Sequence, residues 1–129
     1  MYIFFYRKLY FLLIILTLSA CKKKDICDST EYENIVEANG PVSGSVNTDI
    51  RFDIFWNAGN ECVVFSKFEE QINGNVYTIR PLMSVGGCHC NFEFRYEKQI
   101  YIFKNSIPGT YRLLFVRDGL NIEKNIVLQ

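Results

Sequence analysis

Ile50-Arg51-Phe52-Asp53-Ile54-Phe55-Trp56 places Ile50, Phe52, Ile54 and Trp56 at every second position, with Arg51, Asp53 and Asn57 between or beyond them. A period of two suits a strand with one buried face and excludes an amphipathic helix, whose apolar residues recur every three or four positions. The same logic extends along the chain. A turn is expected at 57–60, where Gly59 lies, followed by a second strand over 61–72. Asn73-Gly74 then supplies the residues of a tight type I′ hairpin, because both central positions of that turn take positive φ. The returning strand runs from Val76 through Tyr77 and Ile79 toward Leu82, with Pro81 expected to end its regular pairing or to place it at an edge.

The last third repeats the scheme. A strand is expected over 99–104, a turn at Ser106-Ile107-Pro108-Gly109, a strand over 110–117, a hairpin at Asp118-Gly119 and a final strand over 122–128. With a weaker strand over 32–37 the count is about seven. Seven short strands in roughly a hundred residues point to an all-β, antiparallel, two-sheet β-sandwich, with a barrel as the competing closure. Tyr111, just after the Pro108-Gly109 corner, is expected to play a structural part by bonding back to nearby backbone.

Upstream of this pattern the chain carries an address. Arg7 and Lys8 precede an apolar run over 9–16, and Leu18-Ser19-Ala20-Cys21 ends in small residues before a cysteine and three lysines. That order matches a lipoprotein signal peptide over residues 1–20, cleaved so that Cys21 becomes the acylated N-terminus. An uncleaved membrane helix competes, since 2–20 nearly spans a bilayer core of about 30 Å, but the charges at positions 7 and 8 interrupt it. Acyl chains contribute about 0.8 kcal/mol per buried methylene, so several of them hold a protein on the membrane. Residues 21–30 then read as a lipidated tether and 31–129 as one domain. Lys22 stands where enterobacterial lipoproteins retained in the inner membrane carry Asp, and by that resemblance the outer membrane of the cell envelope is expected, on its periplasmic or surface side.

Charge adds exclusions. Of 14 Lys and Arg, Arg7 and Lys8 leave with residues 1–20, which carry no acid, so 12 basic residues face 14 acidic ones in the mature part. That balance gives no footprint for nucleic acid.

Leu18-Ser19-Ala20-Cys21, Cys62 with Phe65 and Phe68, Gly87-Cys88-His89-Cys90 and Pro108-Gly109-Thr110-Tyr111 together resemble small bacterial lipoproteins with a single Ig-like sandwich and a Gly-Cys-x-Cys motif. The resemblance spans most of the mature chain. It implies a fold and a location; the family has no assigned activity, so it implies no site residue.

Beyond Cys21, the cysteines Cys27, Cys62, Cys88 and Cys90 form an even set in an exported domain, which points to disulfides. A hairpin centred on Asn73-Gly74 brings Cys62 near Cys88 and Cys90, so one bridge should join Cys62 to one of them. Cys88 and Cys90 are poor partners for each other, being about 7 Å apart in extended chain with side chains running parallel. Cys27 is left for the remaining cysteine. A Cys62 to Cys88 bridge would contribute roughly 3.5 kcal/mol in the chain-entropy model. The alternatives are a metal site of Cys62, Cys88, His89 and Cys90, or a redox role for Cys88 and Cys90. Neither is favoured, because His89 would point away from the face carrying its neighbours and an oxidising compartment favours bridges.

For catalysis the chain offers one His and no recognisable nucleophile motif, and Glu69 and Glu70 lie on opposite sides of a strand. An enzyme is not expected, and no cofactor. Trp56 shares the face of Ile50, Phe52 and Ile54, which favours core packing over sugar stacking. Tyr77, Tyr96 and Tyr101 are candidates for exposure. The reading that emerges is a lipid-anchored binding or accessory module with an envelope protein as partner, followed by a carbohydrate-binding module and then by a small metal or redox protein.

Overall fold

The computed structural model describes residues 27–129; the expected signal peptide over 1–20, Cys21 and most of the expected tether lie outside the described residues. Nine strands follow one another without a helix among the described residues: β1 (Ser29–Tyr32), β2 (Ile35–Asn39), β3 (Ser43–Gly44), β4 (Ile50–Asn60), β5 (Val63–Asn73), β6 (Val76–Val85), β7 (Phe92–Phe103), β8 (Gly109–Phe115) and β9 (Ile122–Leu128). They form a six-stranded sheet, in which β6 carries β5 on one side and β1 and β8 on the other with β9 and β3 beyond, and a three-stranded sheet ordered β2-β4-β7.

The two sheets face each other across one apolar layer. Ile50, Phe52 and Ile54 of β4 are buried against Tyr77 and Ile79 of β6, Tyr111, Leu113 and Phe115 of β8, and Ile126 and Leu128 of β9. Trp56, Ala58, Val63 and Met83 form a second, smaller cluster. The alternation in 50–56 therefore places its apolar face inward as its period demands.

Several details depart from the sequence expectation. The sandwich has nine strands and is not purely antiparallel, because β6 with β8 and β3 with β9 run parallel. The expected strand over 32–37 is two strands in different sheets, separated at Glu33 and Asn34, and Ser29 and Thr30 of the expected tether belong to β1. Residues 57–60 continue β4, so the turn falls at Glu61 and Cys62. The hairpin between β5 and β6 is displaced by one residue, with Asn73 paired to Val76 and Gly74-Asn75 as the loop. Only Gly74 has positive φ, at 58°, the requirement of a II′ turn at its first central position, where a I′ turn needs two such residues.

Pro81 does not end β6. It falls between residues 76–79, which pair with β8, and 82–85, which pair with β1. A residue lacking an N–H is tolerated where one flank changes partner. Asp118-Gly119 lies in a six-residue connection, 116–121, where the sequence suggested a tight turn.

Tyr111 is buried, and its hydroxyl donates to the Ile107 carbonyl at 2.8 Å. A phenol that reaches back four residues satisfies a carbonyl of the corner leading into β8. Gly40 is needed for a different reason: a Cβ there would run into the Phe52 ring.

Candidate functional site

Two features gather at the end of the sandwich where β4 turns into β5. The first is a pair of disulfides, Cys27 to Cys88 with Cα atoms 5.0 Å apart and Cys62 to Cys90 at 5.6 Å. Register explains the second pairing. Val63 stands opposite Val85, and the Gly86 N–H donates to the Cys62 carbonyl at 3.3 Å, so the chain after β6 passes beside Cys62. The Asp28 carboxylate accepts from the Gly87 N–H at 3.1 Å, which seats Cys27 against the same loop. All four sulfurs of these cysteines are bridged. Among the described residues no cluster of three metal-ligating side chains occurs.

The second feature is β7, which begins at Phe92, seven residues before the strand expected over 99–104. Over 92–97 aromatic and charged residues alternate, a strand signal of period two, but the aromatic residues do not face the core. Arg95, Glu97 and Gln99 share the inward parity of buried Tyr101 and Phe103, whereas Phe94, Tyr96, Lys98, Ile100 and Ile102 are exposed.

The cause lies in the neighbouring turn. The Arg95 guanidinium donates through Nη2 to the carbonyls of Asn60 at 3.3 Å, at the end of β4, and of Val63 at 3.2 Å, at the start of β5. Glu93 and Glu97 flank it at 3.9 and 3.7 Å. With a charged group required inside, the alternating aromatic residues are carried outside.

The outer strip has its own order. Tyr96 stacks on Phe55 of β4, with ring centroids 5.3 Å apart and planes within 12°. Its hydroxyl donates to Glu37 of β2 at 2.9 Å. The Asn39 amide and then this phenol hold the Glu37 carboxyl below its ordinary range. Asp53 pairs with Lys98 at 3.4 Å. Phe94 is 67 % exposed and Phe92 85 %.

Among the described residues no strand covers the far side of β7, which is an edge of the small sheet. Edge strands usually carry devices against pairing. β5, the other long edge strand, has a bulge between Phe65 and Lys67 and carries Glu69, Glu70 and Gln71. On β7 the sole irregularity is near its start, where Glu93 and Phe94 stand opposite Gly59, and the residues from 95 to 103 run regularly.

Between β5 and β7 the sandwich opens into a cleft of about 180 Å³, lined by Trp56, Val63 and Phe65 with Arg95, Glu97 and Gln99. The Trp56 indole N–H is buried without a hydrogen-bond partner. Trp56 is 2 % exposed, so it is a core residue. Tyr77 and Tyr101 are buried as well, which leaves Tyr96 as the exposed member of the three tyrosines. Burial first, and then the hydrogen bond to Glu70 at 2.8 Å, push the Tyr101 phenol far above its ordinary range.

Glu69 and Glu70 serve structural partners, Tyr32 and Tyr101 respectively. Both also line a shallow cleft with Tyr32, Gln71, Thr78 and Arg80. His89 lies in the bridged loop between the two disulfides. No family model, curated protein or solved structure matches this chain.

Proposed function

We propose that this chain is a lipid-anchored, Ig-like binding module of the bacterial cell envelope, without catalytic activity of its own, that docks a protein partner along β7. One observation carries the docking surface. β7 offers an unpaired backbone edge twelve residues long beside exposed Phe94, Tyr96, Ile100 and Ile102. An extended segment of a partner added to such an edge gains main-chain hydrogen bonds, and its alternate side chains rest on the apolar strip. The Ig-like assignment is supported by two facing sheets and by the bond from Tyr111 to Ile107 at the corner before β8. Anchoring is supported by the order of charged, apolar and small residues before Cys21 and by two disulfides, which suit an oxidising compartment.

The test is capture of envelope proteins by the wild-type chain and by Ile100→Lys, which leaves the core untouched. Docking on β7 predicts a specific partner that binds the wild type and is lost with the variant. A partner retained equally by both would refute β7 as the surface. A glycan platform is the second reading, favoured by the exposed rings of Phe92 and Phe94. It predicts saturable polysaccharide binding that falls on Phe94→Ala.

A further inference from the structure

The disulfide from Cys27 to Cys88 fixes the point at which the chain enters the domain. Cys27, the β4–β5 turn and the loop 86–91 form one bridged end, whereas Gly74 and Asn75, the loop 104–108 and the segment 45–49 lie at the opposite end of the long strands. At roughly 3.3 Å per residue, the twelve residues of β7 separate these ends by about 40 Å. Cys21 and Cys27 are six residues apart, and an extended chain of that length reaches at most about 20 Å.

We infer that the bridged end is the foot of the domain on the membrane, with Phe92 at its contact with lipid and the 104–108 loop pointing away. This rests on the acylated Cys21 of the proposed function. The magnitudes exclude the inverted placement, because a tether of about 20 Å cannot follow Cys27 to a height of about 40 Å.

Between a domain that stands and one that lies flat, the side chains decide. Phe92, two residues beyond Cys90, is 85 % exposed, and its ring has little contact with the domain. An aromatic side chain held over the headgroup region by a short anchored tether gains from burying its face in the acyl boundary. Lys22, Lys23 and Lys24 lie between the anchor and the bridge, and would hold that end to anionic headgroups. Without the bridge from Cys27 to Cys88, this stretch would be held to the domain by the bond from the Gly87 N–H to Asp28 and by the four exposed residues of β1, paired to the end of β6, and the tether could lengthen as these fray.

The orientation is read by tryptophan quenching in the full acylated protein, reconstituted in phosphatidylcholine vesicles with one-quarter phosphatidylglycerol and brominated acyl chains, on the order of the anionic content that polybasic segments recognise. Trp56 is buried and common to all variants. The tryptophan added by Phe92→Trp should lose most of its emission in brominated vesicles, and the one added by Ile107→Trp should keep it. Quenching of both would show a domain lying flat, and quenching of position 107 alone an inverted one; either overturns the inference. Combining Phe92→Trp with Cys27→Ser and Cys88→Ser should restore much of the lost emission, and unchanged quenching would show that the bridge does not set the orientation. Intact mass of the same preparation separates the two levels. An unacylated Cys21 ends the anchoring and the orientation with it, whereas an acylated protein with position 92 unquenched ends the orientation alone.

Discussion

Replacing both Cys62 and Cys90 with serine isolates what their bridge contributes. The bridge closes a loop with a sequence separation of 28, for which the chain-entropy relation gives about 3.6 kcal/mol at 25 °C. Natural domains of this size hold about 5–15 kcal/mol in total, so the loss is a large share. At about 4–8 °C per kcal/mol the midpoint of thermal unfolding should fall by roughly 14–29 °C. Urea unfolding followed by near-UV circular dichroism should show the same loss, with a steeper denaturant dependence because the unlinked denatured chain exposes more surface. The native fold should survive, since β5 and β6 remain paired from Val63–Val85 to Asn73–Val76 and Cys27 to Cys88 stays closed. A change below about 1 kcal/mol with an unaltered slope would refute the reasoning, for it would mean that the bridge constrains no loop in the unfolded state.

Other consequences follow from single contacts. Tyr111→Phe removes the donor to the Ile107 carbonyl and should cost about 1 kcal/mol in urea unfolding. Gly40→Ala drives a methyl into the Phe52 ring and should cost about 1–3 kcal/mol as overpacking, visible as a lowered melting midpoint. Trp56→Phe removes an indole N–H that has no partner in its buried site. It therefore loses ring volume without breaking a hydrogen bond, and unfolding should show a cost of at most about 1.5 kcal/mol.

Stability should also depend on acid. Glu69 is held below its ordinary value by Tyr32, Glu37 by Asn39 and Glu123 by Arg112. For such groups the unfolded chain binds protons first as the pH falls, so their contribution is present above about pH 4.3 and is lost on descending through the lower folded values. Urea midpoints measured between pH 6 and pH 2.5 should decline below that point, and Glu123→Gln should make the decline shallower.

Much of the architecture was legible because burial of one strand face leaves a period of two in the residues. Ile50 to Trp56 show it, and those residues form the core side of β4. What failed were positions where a local requirement overrode the period. Asn73-Gly74 looks like a I′ turn, but the loop begins one residue later because Gly74 alone supplies the positive φ of its first position. Pro81 would break a strand with constant neighbours on both flanks, and it sits where β6 exchanges β8 for β1, a fact of topology invisible in local sequence.

The candidate site was the least legible part. The aromatic alternation in 92–97 marks a strand, yet which parity faces inward depends on Arg95 reaching the carbonyls of Asn60 and Val63, 35 and 32 residues earlier. The parallel pairing of β6 with β8 likewise has no local signal, since such pairs are set by long connections. The cysteines were legible in kind, because an even set in an exported chain implies bridges, and hairpin register brought Cys62 to the right neighbourhood. A displacement of one or two residues in that register decides between Cys88 and Cys90.

The most direct test of a tethered, disulfide-stapled module is the intact mass of the native protein taken from membranes, before and after reduction and alkylation. The account predicts a diacyl or triacyl mass on Cys21, no alkylation before reduction, and four alkylated cysteines after it, in keeping with the bridges from Cys27 to Cys88 and from Cys62 to Cys90. An unmodified Cys21, or thiols that react without reduction, would contradict it.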